Sequence, residues 1–202
     1  MAERTIVWEG TDVWRAEVAV VDVGVDRVRA RGTQLGVDPL PYRLEYELDT
    51  TAGWETHRLQ VRSSGAGWSR EIDLRHDGAG RWRCVASGTG DVPGLPEPGG
   101  DMDALRGAID CDLGASPLTN LMPVRRHALH VHEGEHDLLM AWIDPPSLAV
   151  TPSRQRYEHV RRDEDGSVVR YVGERGAFTA ELELDQDGVV RSYPGLARRV
   201  SG

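Results

Sequence analysis

Apolar and polar residues alternate with a period of two along much of the chain, and Asp-Gly pairs punctuate the alternation. Period two is strand geometry: successive side chains point to opposite faces, so one face of a run can be buried while the other stays wet. The clearest run is Tyr42 to Asp49, with Tyr42, Leu44, Tyr46 and Leu48 on one face and Arg43, Glu45, Glu47 and Asp49 on the other. Phe178 to Leu184 and Ile109 to Leu113 repeat it, and weaker alternation runs through Trp68–Leu74, Trp82–Val85, Leu129–Val131 and Val168–Val172. Asp77-Gly78, Asp165-Gly166 and Asp187-Gly188 suit the positive φ angles of tight hairpins, and Glu133-Gly134 separates another pair of runs. Strands joined by such short loops are antiparallel. About ten or eleven strands are expected at this spacing, which places the chain in the all-β class. Helix is expected only at Asp101–Arg106, with Asp101 as its cap.

The 202 residues suit a single domain spanning 1–202. Asp91–Gly100 (DVPGLPEPGG) is too rich in Pro and Gly for regular structure. It reads as a long loop inside that domain, the other reading being an interdomain linker. The net charge of −9 argues against nucleic acid and anionic membrane as partners. No apolar run approaches the ~20 residues of a spanning helix, so integral membrane association is not expected. MAERTIVWEG has no apolar signal core, so the expected compartment is the cytoplasm. Cys84 and Cys111 are too few for a disulfide framework or zinc site and read as reduced thiols; no cofactor or metal is expected. All 24 basic residues are Arg, most simply a coding bias.

Several clusters invite chemistry. His127, His130, His132 and His136 crowd together. On a strand, His130 and His132 share the face opposite Leu129 and Val131, which reads as solvated, a shared metal being the sharper alternative. Asp110 and Asp112 share a face around Cys111. Such a pair can divide acid and base roles, or simply be the wet side of a strand with Cys111 in the core. Neither G-x-S-x-G, H-E-x-x-H, a P-loop nor a dinucleotide fingerprint is present, so no catalytic residue is assigned. The most unusual stretch is Ser116–Arg126 (SPLTNLMPVRR). Pro117 and Pro123 stiffen it, and Thr119 and Asn120 can bond nearby backbone. Arg125 and Arg126 are expected to enter a strand on opposite faces, so that one points inward. It would then pair with a carboxylate such as Asp110 or Asp112, or with a ligand anion.

The segments Ile109-Asp110-Cys111-Asp112-Leu113, Ser116-Pro117-Leu118-Thr119-Asn120 and Pro123-Val124-Arg125-Arg126 resemble the central motif of a bacterial family of unknown function named putative glycolipid-binding. Trp54-Glu55-Thr56-His57-Arg58, Asp77–Trp82, Asp187–Val190 and Tyr193–Leu196 resemble its other landmarks. Ser116, Leu118, His57 and Ala197 depart from its pattern. The resemblance implies a wrapped antiparallel sheet, a half-open β-roll or barrel with few short helices. It further implies a non-enzymatic binder of an amphiphile such as a glycolipid or acyl-bearing metabolite, with Trp54, Arg58, Thr119, Asn120, Arg125 and Arg126 as candidate ligand-binding residues. The alternatives are a hydrolase-like enzyme using Asp110, Asp112, Arg125 and Arg126, and a protein-interaction module. Oligomeric state is not legible.

Overall fold

The computed structural model describes residues 3–173 and 178–202. Seven strands precede the Pro/Gly loop: β1 (Arg4–Gly10), β2 (Arg15–Val23), β3 (Val28–Gly36), β4 (Tyr42–Thr50), β5 (Thr56–Gly65), β6 (Trp68–His76) and β7 (Trp82–Thr89). Seven follow it: β8 (Asp110–Leu113), β9 (Glu135–Asp144), β10 (Ala149–Arg162), β11 (Ser167–Gly173), β12 (Phe178–Leu184), β13 (Val190–Tyr193) and β14 (Ala197–Ser201). All belong to one open sheet in the order β7-β6-β5-β4-β3-β2-β1-β14-β13-β12-β11-β10-β9-β8. Pairing is antiparallel except for β8 on β9, which is parallel.

The fourteen strands among the described residues exceed the ten or eleven expected from alternation. The excess has two sources. β2 reads RAEVAVVDV, with Val and Ala on both faces, so its period is blurred. β13 and β14 have only 4 and 5 residues, too short to show one. The clear runs fold as read: β4 buries Tyr42, Leu44, Tyr46 and Leu48 and exposes Arg43, Glu45 and Glu47. Each such buried aliphatic contributes about 1.5–3 kcal/mol. Asp77-Gly78, Asp165-Gly166 and Asp187-Gly188 each join an antiparallel pair. The Asp77 carboxylate accepts from the amides of Ala79 and Arg81 and from the Arg81 guanidinium. These donors hold it at about 2.

β7 and β8 are consecutive in the chain yet lie at opposite ends of the sheet order. The intervening segment therefore crosses between the two edges, and within it Gly99 is tied by backbone bonds to Leu148 and Val150. β8 packs against β5 through a bond from the Cys111 amide to Thr56 Oγ1 (2.9 Å) and one from the Thr56 amide to the Ile109 carbonyl (3.1 Å). A strand held there is covered on both sides. This overturns the expectation that Asp110 and Asp112 form a wet face: Asp110 is fully buried, as are Cys111 and Leu113. Trp8 and Trp82 are buried with their indole N–H groups given to the carbonyls of Val190 and Ala108, both at 2.8 Å.

The helical content is small and partly unforeseen. Asp101 caps a single 3₁₀ turn, Met102–Leu105, as expected. Pro117–Asn120 forms a second 3₁₀ turn and leads into α1 (Leu121–Arg126). Arg125 and Arg126 therefore lie on a helix, not a strand. Pro123 sits in the first turn of α1, where a missing amide donor costs nothing. The next residues continue as turns, with the Leu129 amide bonded to the Val124 carbonyl. Leu129–Val131 is thus not a strand, Glu133-Gly134 does not join two strands, and His130 is buried rather than solvated. No helix among the described residues is long and apolar enough to cross a membrane.

Candidate functional site

A cavity of about 580 Å³ lies beside β8, between its Leu113 and the inner faces of β10–β13. Its walls are apolar: Leu113, Trp142, Tyr171, Phe178, Tyr193 and Leu196. The rings of Tyr171, Phe178 and Tyr193 pack in a triangle with centroids 5.8–6.1 Å apart, and Tyr157 extends it edge-on to Tyr171 at 5.3 Å. Phe178, the chain's one Phe, is 40% exposed, and Thr151 and Pro152 of the lining are also exposed, which marks the opening. The polar lining consists of Asp112, Ser116, Asn120, Thr151 and Ser153. A shallower groove of about 510 Å³ on the outer face of the sheet is lined by charged side chains including Arg31, Glu45 and Arg62.

The inner end of the cavity is built by hydrogen bonds. Asp112 Oδ1 accepts from Thr119 Oγ1 (2.8 Å) and Oδ2 from Gln155 Nε2 (2.6 Å). Burial pushes the Asp112 carboxyl up, opposed by those two donors. Tyr157 donates to Asn120 Oδ1 (2.9 Å), and Asn120 Nδ2 donates to the Pro117 carbonyl (3.2 Å). Burial holds the Tyr157 hydroxyl far above its ordinary range, so it stays a neutral donor.

Ser116 links this end to a second carboxylate behind it. Glu17 on β2 is 2% exposed. Its Oε1 accepts from Ser116 Oγ (2.8 Å) and Tyr46 OH (2.6 Å), and Oε2 from Gln34 Nε2 (3.2 Å). Burial outweighs these donors and raises Glu17 to about 7. Tyr46 reaches across β3 because the residue opposite it is Gly32. A Cβ at Gly32 would stand 2.4–2.6 Å from Tyr46 ring and hydroxyl atoms. Gly32→Ala is therefore expected to displace Tyr46 and cost about 1–3 kcal/mol in urea unfolding. A loss under about 0.5 kcal/mol would show that the ring is not held there.

α1 and its neighbours form a separate cluster outside the cavity lining. Arg126 makes a two-pronged pair with Asp110, both contacts at 2.5 Å, with the carboxylate fully buried. Burial pushes Asp110 up and the guanidinium pulls it back. Arg125 lies 4.8 Å over the ring of Trp54 and donates to the Asp187 carbonyl. His127 stacks on His136 at 3.8 Å, and burial beside Arg126 lowers His127 to about 4. No group of three or more His, Cys, Asp or Glu side chains arranged to hold a metal ion occurs among the described residues.

The structure thus divides the candidate residues. Asn120 lines the cavity and Thr119 holds Asp112 from behind. Trp54, Arg125 and Arg126 lie outside its lining: Arg125 stacks over Trp54, and Arg126 pairs with Asp110. Arg58 points to the outer face and pairs with Asp73 (2.6 and 2.9 Å). Asp110 and Asp112 do not share a site: one is locked to Arg126, the other lines the cavity. Glu17, Gln155 and Tyr157 were not read from the sequence. Their signal is phase: Glu17 is in step with Ala19, Val21 and Val23, and Gln155 with Ser153 and Tyr157, all buried.

Residues 5–199 match the family described as putative glycolipid-binding. The chain belongs to that family. Three of the segments that carry the glycolipid-binding family resemblance, Asp110–Leu113, Ser116–Asn120 and Pro123–Arg126, converge on β8 through the Thr119–Asp112 and Arg126–Asp110 bonds. A crystal structure of a DUF1089 family protein from Pseudomonas aeruginosa is similar, with a TM-score of 0.68, 26% identity, and coverage of 94% of this chain and 93% of that one. No curated protein matches the chain.

Proposed function

We propose that this protein binds an amphiphile, such as a glycolipid, with the acyl chain between the aromatic walls and the head group at Asp112 and Asn120. The observation that carries this reading is a cavity of about 580 Å³ whose apolar walls end in one cluster of hydrogen-bonding side chains. That is the size and lining of a small-molecule site. The family's name supports the same class of ligand. Thr119 and Asn120 are the candidate residues placed to shape the head-group end. Trp54, Arg58, Arg125 and Arg126 lie outside the lining and have no part in this reading. The unpaired thiols of Cys84 and Cys111 support a reducing compartment, the cytoplasm.

Titration calorimetry with alkyl glucosides of increasing chain length, below their micellar concentrations, tests the reading. Affinity is expected to rise about fourfold per methylene until the cavity is full. Thr151→Trp, which narrows the opening without touching Asp112, is expected to weaken the longest glucoside at least tenfold. Absence of binding at every chain length would overturn the proposal.

A further inference from the structure

The inner end of the cavity carries a carboxyl group, Asp112, that no arginine pairs with among the described residues. Asp112 forms no ion pair among the described residues, and each of its oxygens accepts a single hydrogen bond. A carboxylate has about four lone-pair sites, so acceptor capacity remains on the side facing the cavity. Four of the neighbouring donors are already used, while Ser153, which accepts from Gln155, and Thr151 keep hydroxyl donors but carry no charge. Ser116 O–H goes to Glu17, Thr119 O–H to Asp112, Tyr157 O–H to Asn120, and Asn120 gives an N–H to the Pro117 carbonyl. Arg126 is committed to Asp110, and Arg15, bonded to Asp12 and to the Leu196 carbonyl, acts on Glu17 through its charge and forms no ion pair with Asp112. The chain has no Lys to take their place.

We infer that this site selects a head group that donates hydrogen bonds and carries no negative charge, with Asp112 as the residue that sets the preference. A hydroxyl or ammonium group can donate to the open lone pairs of Asp112. A phosphate or carboxylate head would meet a like charge with no guanidinium to neutralise it, inside a partly dehydrated cavity where such repulsion is poorly screened. This inference rests on the amphiphile reading above and adds the class of head group to it.

The test compares three amphiphiles with the same dodecyl tail on the wild-type protein at pH 7: dodecyl glucoside, dodecylamine and dodecyl phosphate. Calorimetry below the micellar concentrations gives each affinity. Glucoside or amine is expected to bind at least tenfold more tightly than phosphate, and their order tells a hydroxyl donor from an ammonium donor. Asp112→Asn keeps an acceptor for Thr119 and removes the charge. It is expected to shift the phosphate-to-amine affinity ratio at least tenfold toward phosphate, with thermal unfolding confirming the fold. Equal binding of all three heads, or tightest binding of phosphate, by the wild type would overturn the inference while leaving the amphiphile reading intact. Failure of all three to bind would overturn both. The wild-type comparison decides the matter even if the variant does not fold.

Discussion

Arg126→Met is expected to destabilise the protein by about 3–5 kcal/mol, because it strands a carboxylate rather than removing a contact. Asp110 has no exposed side-chain surface, and Arg126 is only 13% exposed. Two charged contacts of 2.5 Å compensate the carboxylate, and without them Asp110 must either stay charged in the interior or take up a proton. The pH dependence follows. In the variant, burial keeps the folded Asp110 protonated above the pH at which an unfolded aspartate ionises, near 3.9. The folded state then binds the proton more tightly, so the variant's deficit grows as pH rises above that value. Urea unfolding at pH 4 and pH 7 measures it. Asp110→Leu combined with Arg126→Met is expected to recover most of the loss, since the paired removal leaves no orphaned charge. A single-variant loss under about 1 kcal/mol at pH 7 would show that water screens the pair.

Glu17 is expected to make wild-type stability fall as pH rises from about 4.5 to about 7. Its folded value of about 7 lies above the ordinary glutamate value of 4.5. Across that window the folded state keeps a proton the unfolded state has lost, and stability declines until the folded pKa is passed. The shift corresponds to roughly 3 kcal/mol over the window. His127 works in the opposite sense: its folded value of about 4 lies below 6.5, so its contribution grows as pH rises through that range and is lost on acidification. The wild-type profile is the sum of these slopes, and Glu17→Gln isolates one of them. Gln34 Oε1 lacks a partner while Gln34 Nε2 faces Glu17 Oε2. Turning the Gln34 amide over would offer that oxygen to a protonated Glu17 or to the amide of a glutamine at 17. The variant is therefore expected to fold, with a profile that differs from wild type by about 3 kcal/mol between pH 4.5 and 8. Parallel wild-type and variant profiles would contradict the reading.

Much of the sheet is legible in the sequence because alternation is a local property. Tyr42–Asp49 places its own side chains whatever it packs against, provided one face is wet, and Asp-Gly pairs name the hairpins they close. The same rule misleads at β8, where the Asp110 and Asp112 side reads as wet only if the other face alone is covered. The packing of β8 against β5 and β10 removes that condition. Arg126 illustrates both sides. A carboxylate partner such as Asp110 was readable from the need to neutralise an inward guanidinium, yet the helix that delivers it was not. Six residues containing a proline show no helical period, and α1 is held by its burial and by the turns on either side.

The local pattern by itself determined the all-β class, the hairpins at the Asp-Gly pairs, the capped turn after Asp101 and the family, because each depends on neighbouring residues or on a linear motif. Only the tertiary structure decided which side of β8 is dry, that Glu17 and Asp112 flank the same 3₁₀ turn, and that the aromatic rings of β11, β12 and β13 enclose a cavity ending at Asp112. Those features join residues as far apart as Glu17 and Ser116, 99 positions along the chain. Long-range pairing of that kind depends on how strands stack across the sheet, and leaves no trace in any short stretch of sequence.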